Sequence, residues 1–361
     1  MDPTPRSLDT ASGSGPASLD LPALRAVVAR HGRRVTPGIE DLPGYLSRQN
    51  DDVSHQDVLG PLLPASGASG VVVHGGVTVA RWGDPTVPEM LFSGTKSLLS
   101  TVAGLAYDDG LLDPAAPVRE SVGHPLFHSP SARDIAWEHL LQQTSQWQGE
   151  LWGKPTSVDA QSRREGTEPE GGPPGSGWAY NDVRVNLLAL GLTVLLGRSV
   201  PDVLRDRVFG PLGASSSWSW HGYANSYVEI DGRPVPVVSG GAHWGGGVWI
   251  SAADLALLGD LYRCRGRWAG RQLISAEWID RAWQPCPRNP DYGYLWWRND
   301  ARRVQPDAPA SGRCARGNGG RHLLWVDPDR ELVVASHWTE QIGELLATVS
   351  AAVPVTLPAP H

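Results

Sequence analysis

Lysine is almost missing from this chain: Lys96 and Lys154 are the only two among 31 basic residues, and arginine supplies the rest. Cysteine is scarce too. Cys264, Cys286 and Cys314 are odd in number and show no C-x-x-C spacing, which argues against a disulfide framework and against a zinc cluster. A cytoplasmic location is the expectation. The one close histidine pair, His124 and His128, lies in a Pro-containing segment without a third ligand, and H-E-x-x-H is absent, so neither metal nor cofactor is expected. There is no basic excess: the net charge is −7, spread along the sequence, which excludes a footprint for nucleic acid or anionic membrane. No apolar run is long enough to span a bilayer, and Met1 to Asp20, rich in Pro, Ser, Thr and Gly, holds no signal-peptide core. A small molecule or peptide is the substrate class left.

What is present is enough for a full core. The chain has 361 residues, 40% apolar and 19% charged, ordinary globular values. After a loose N-terminus, Leu21 to His31 reads as a short amphipathic helix. Gly70 to His74 and Val77 to Trp82 are β-rich runs joined by Gly75-Gly76, which predicts a hairpin. From Ser93, apolar residues at 98, 99, 102, 105 and 106 recur at three and four, predicting a helix to about Asp109 closed by Gly110. Helical patches follow at 132–142, 181–196 and 201–208, and Ser251 to Tyr262 is a further helix with Ser251 as N-cap and Asp254 at the capping-box position. His322 to Val326 and Glu331 to Trp338 read as strands, and Glu340 to Val353 as a helix. The expected fold is α/β of the α+β type: an antiparallel sheet, with strands from both ends of the chain, flanked by helices and interrupted by a mainly helical region. The expected division is an extension over 1–67, a sheet domain from 68–130 and 236–361, and a helical domain over 131–235.

Ser93-Gly94-Thr95-Lys96 places a hydroxyl and an amine at i and i+3, neighbours on one helix face. In the first turn, backbone N–H groups lack intrahelical partners, so that of Ser93 suits an oxyanion. The positive helix end disfavours a protonated amine, which fits Lys96 to work as a base. Arginine would not serve, because a guanidinium keeps its proton. In a chain that otherwise uses arginine, a lysine here looks specified. The same four residues also fit a plain helix cap followed by a solvated lysine, and the surrounding sequence decides between the two.

Hairpin, apolar lead-in, S-x-x-K helix and Asp109-Gly110-Leu-Leu-Asp113 together resemble the serine β-lactamase and penicillin-binding-protein superfamily, most closely its class C-like esterase branch. Leu140-Leu-Gln-Gln-Thr-Ser145, Gly245-Gly-Gly-Val-Trp-Ile-Ser-Ala-Ala-Asp254 and Gly317-Asn-Gly-Gly320 match later landmarks in the same order, over about residues 68 to 353. The resemblance implies a β-lactamase/transpeptidase-like fold and an acyl-enzyme route, with Ser93 as nucleophile, Lys96 as base or proton shuttle, and Tyr180 as the third catalytic group. Tyr180 opens a Tyr-x-Asn-like segment in which Asp182 stands where the pattern has Asn. Asn181 is then the alternative amide toward substrate.

The family's third motif aligns with Asn318-Gly319-Gly320, where the usual cation is missing. The N–H of Arg321 becomes the expected second oxyanion donor. Trp147 and Trp152 are expected to wall the acyl pocket, with Trp178 just ahead of Tyr180. The predicted activity is hydrolysis of a small-molecule ester or amide, with acyl transfer to an amine or alcohol, or non-catalytic ligand binding, as rivals. Because Asn318 brings no charge, neutral esters and amides are expected ahead of β-lactams unless Arg316 or Arg321 turns inward.

Overall fold

The computed structural model describes residues 20–49, 58–159, 172–353 and 355. Its centre is a six-stranded antiparallel sheet. The first hairpin supplies β1 (Ser69–His74) and β2 (Val77–Trp82), and the C-terminal part supplies β3 (Trp297–Arg298), β4 (Arg313–Gly317), β5 (His322–Asp327) and β6 (Leu332–His337). The order is β3-β4-β5-β6-β1-β2. The chain's two ends meet where β1 pairs β6, with Ser69 opposite His337 and His74 opposite Leu332. Gly75 and Gly76 have φ of +56° and +82°, the doubly left-handed turn that suits a two-residue hairpin.

Alternation along β1 divides the core. Val72 packs with Leu24 and Val28 of α1 (Leu21–His31) and with the C-terminal helix Ile342–Ala352, while Val71 and Val73 face the other layer. That layer holds α2 (Thr95–Asp108), α3 (Asp182–Leu196) and α4 (Ala252–Arg263). Every residue of α2 from Thr95 to Ala106 is buried. Its end is a Schellman motif: Gly110 N–H donates to Tyr107 O at 2.9 Å and Leu111 N–H to Ala106 O at 2.9 Å, with Gly110 at φ +71°. Among the described residues no single helix is long and apolar enough to cross a membrane. The apolar α3 is buried from Asp182 to Thr193 within this layer.

Three local readings change. The 132–142 patch contains only Trp137–Leu141 as helix, preceded by turns through Ala132–Ile135. The stretch after Leu212 carries a hairpin, Tyr227–Ile230 with Arg233–Pro236, turning at Asp231-Gly232. Ser251 does cap α4, accepting from Asp254 N–H at 3.0 Å, but the Asp254 carboxylate receives the N–H and hydroxyl of Ser215 at 2.9 and 2.6 Å. Asp254 thereby ties α4 to a distant loop as well as to its own cap.

Candidate active site

Ser93 lies in a 3-10 turn, Phe92–Gly94, just before α2. Phe92 has φ +52°, a sparsely used conformation for a bulky residue that turns the chain sharply ahead of Ser93. Gly94 is the N-cap of α2 with no side-chain cap bond, so the Ser93 hydroxyl is not a helix cap. Instead it accepts from Lys96 Nζ at 3.0 Å. Lys96 is 1% exposed, which removes the solvated-lysine alternative. A buried ammonium needs a counter-charge, and the Asp182 carboxylate supplies it, with Oδ1 at 2.6 Å from Nζ.

Asp182 is held from three further directions. Its Oδ2 accepts from Ala242 N–H at 3.2 Å, its own N–H donates to the Asp159 carboxylate, and Gly241 lies so close that a Cβ there would sit 2.2 Å from Asp182 Cγ. The Ser239-Gly240-Gly241-Ala242 segment therefore needs its glycines: Gly240 has φ +82°, and a Cβ on it would meet Phe92 O at 2.3 Å. Asn181, the alternative amide, is occupied elsewhere. Its Oδ1 caps α3 by accepting from Arg184 N–H at 3.0 Å, and its Nδ2 donates to Thr156 O at 3.0 Å. The carboxylate of Asp182, with no amide in its place, is what faces Lys96.

Tyr180 joins this group. Lys96 Nζ is 5.3 Å from its ring centroid, and the ring stacks on Trp297 at 5.6 Å with its edge toward Tyr292. Gln143 clamps the backbone on either side, its carbonyl accepting from Ala179 N–H at 3.0 Å and its Oε1 from Asn181 N–H at 2.8 Å. The Leu140–Ser145 loop thus fixes the tyrosine's place. Burial pushes the neighbouring Tyr292 phenol well above the ordinary tyrosine range, so it stays protonated.

Ser93, Tyr180 and Asp182 line a cavity of about 540 Å³, whose other wall includes Arg316, Asn318, Gly319 and Gly320. The aromatic expectation is corrected. Trp147 is buried in the core and Trp152 packs against it, so neither lines the cavity; their main-chain carbonyls accept from Arg184, Asn225 and His243. The aromatic lining is Tyr45, Phe92, Tyr180, Trp244 and Trp297, while Trp178 backs Trp297 edge-on at 6.2 Å. The Arg321 N–H is also spent, donating to Asn318 O at 3.3 Å within the Asn318–Gly320 turn, and its guanidinium bonds Glu340 at 3.0 Å. Asn318 Nδ2 donates to Tyr45 Oη at 2.9 Å. Tyr45 comes from the short helix Leu42–Ser47, so the N-terminal segment helps to build a site that the sequence assigns to later elements.

Two other features escape the sequence reading. Gly240-Gly241 stands five residues before the triple glycine that it does single out, and the doubled Gly-Gly is the available signal. Lys154 is buried and lines the same cavity, its Nζ donating to Ala242 O, and its rarity is the signal. His124 and His128 bond to the backbone at Leu126 and Val122, and among the described residues no three His, Cys, Asp or Glu side chains gather.

A serine and a lysine one turn apart at the head of a buried helix, facing a cavity beside the edge of an antiparallel sheet, define the serine β-lactamase and penicillin-binding-protein class of folds. The chain belongs to the β-lactamase family, whose model matches residues 59–347. Similar solved structures include a penicillin-binding protein homologue from Caulobacter crescentus, 17% identical over 88% of this chain and 98% of that one, TM-score 0.57. A β-lactamase from Mycobacterium bovis is 19% identical over 79% and 93%, TM-score 0.53. A Bacillus anthracis protein named for 6-aminohexanoate-dimer hydrolysis is 16% identical over 78% and 77%, TM-score 0.55. No curated protein sequence matches the chain.

Proposed function

We propose that the protein is a serine hydrolase that cleaves a small-molecule ester or amide through an acyl-enzyme on Ser93. The observation that carries this reading is the contact between Ser93 Oγ and buried Lys96 Nζ at 3.0 Å on the wall of the cavity. As Ser93 Oγ bonds to the carbonyl carbon, its proton passes to Lys96 while Lys96 releases one to the Asp182 carboxylate at 2.6 Å. The lysine is thus a shuttle and Asp182 the proton store. Tyr180, across the ammonium, protonates the leaving oxygen or nitrogen as the acyl bond breaks and is reprotonated by the Lys96–Asp182 pair. Water then attacks the acyl-serine with the same groups working in reverse.

Turnover of p-nitrophenyl butyrate, a short linear amide and a chromogenic cephalosporin, measured for the wild type and for Ser93→Ala, tests the proposal. At least one ester or amide is expected to be cleaved by the wild type and none by the variant. Undiminished turnover in Ser93→Ala would overturn it.

A further inference from the structure

The chain has two lysines: Lys96 is buried behind Ser93, and Lys154 stands in the cavity wall itself. Lys96 is accounted for by Ser93 and Asp182, but Lys154 is not. It opens the short strand Lys154–Pro155, which pairs with Glu150–Leu151 in a small hairpin of its own, and it is 3% exposed. Of the three N–H donors of its ammonium, one meets Ala242 O, and no carboxylate pairs with it among the described residues. The two acidic groups in the cavity wall are directed elsewhere: Asp182 to Lys96 and Ala242 N–H, and Asp159 to the Asp182 N–H.

A second cation in the wall is in the same condition. Arg316, on β4, holds its guanidinium 5.4 Å over the Trp297 ring, and its Nε is buried without a hydrogen-bond partner. Arg321 is neutralised by Glu340. A chain of net charge −7 has therefore gathered uncompensated positive charge at this cavity, and leaving buried donors unmet is costly unless a ligand meets them. A lysine's compact point charge, with two donors to spare, suits a carboxylate entering beside Ala242.

We propose that Lys154 determines specificity by binding a carboxylate of the substrate, so that the esters or amides processed at Ser93 carry a free acid group. This rests on the hydrolase reading above and reverses the sequence-based expectation of neutral substrates, because the cation comes from the hairpin at 154 instead of the strand motif at 318.

The test compares matched ester pairs in the wild type, Lys154→Met and Lys154→Arg. One pair carries the acid in the acyl group (mono-p-nitrophenyl glutarate against p-nitrophenyl valerate), the other on the leaving group (4-carboxyphenyl against phenyl butyrate). The wild type is expected to prefer the acidic member of at least one pair by tenfold or more in kcat/KM, through KM. Lys154→Met should erase most of that preference and Lys154→Arg should keep part of it. The ratio is internal to each variant, so a general loss of folded protein leaves it unmoved. No preference in the wild type, or a preference that survives in Lys154→Met, overturns the proposal. If no ester is turned over at all, the hydrolase reading is what fails. Calorimetric binding of glutarate then decides for Lys154: tenfold weaker binding in Lys154→Met supports it, and equal or absent binding ends it.

Discussion

The ammonium of Lys96 lies 2.6 Å from the Asp182 carboxylate, where the Tyr-x-Asn pattern resembled by the sequence has an amide. A carboxylate can take a proton from the lysine, which an amide cannot do, and it neutralises a buried charge.

Asp182→Asn is therefore expected to lower kcat by about 10²–10⁴-fold, the usual weight of a positioned proton acceptor. It should also destabilise the fold by about 3–5 kcal/mol, because Lys96 is left buried without its partner. Steady-state kinetics and urea unfolding separate the two effects. Wild-type kcat in a destabilised variant would show that Asp182 is structural and takes no proton.

Lys96→Arg is expected to be nearly as inactive as Lys96→Ala, since a shuttle must release its proton and a guanidinium does not. The measurement is kcat/KM on the best ester. Recovery by arginine would reduce Lys96 to a charge that holds Ser93 and Asp182.

Tyr180→Phe keeps the stack on Trp297 and removes only the hydroxyl. A fall in kcat of about 10²–10⁴-fold with an unchanged melting temperature is expected. A fall below threefold would leave Tyr180 as part of the aromatic wall.

The sequence carried the parts of this site that depend on local pattern. The spacing at 93–96, the glycine turn at 75–76 and the helix cap at 251 each follow from short-range geometry, and the structure places them as expected. Contacts between distant segments were not legible. Asn181 looked available until the α3 cap and Thr156 claimed its amide, and Trp147 looked like a pocket wall until the core enclosed its ring. Tyr45 reaches Asn318 across the fold, a pairing with no trace in the intervening sequence.

A buried histidine pair sets a pH limit. His322 on β5 and His337 on β6 are fully buried, with Nδ1 atoms 2.9 Å apart. Burial pushes His337 down to about 4 and His322 well below the usual histidine value, the second also by the charge of its partner. Unfolded, both titrate near 6.5. Between about pH 6.5 and 4 the unfolded chain binds protons that the folded chain does not, so stability falls as pH drops through that window. His337 alone accounts for on the order of 3 kcal/mol. Urea unfolding from pH 7 to 4.5 should show this slope, and His337→Asn should flatten it by about one proton; an identical slope in the variant contradicts the assignment.

The most direct test of the central claim is covalent. Mixing the protein with a fluorophosphonate, which phosphonylates an activated serine with loss of fluoride, and measuring intact and peptide masses should show one adduct per chain, on the peptide containing Ser93. Labelling should be lost in Ser93→Ala and much slower in Lys96→Arg. An adduct on another residue, or undiminished labelling of Ser93→Ala, would contradict Ser93 as the nucleophile.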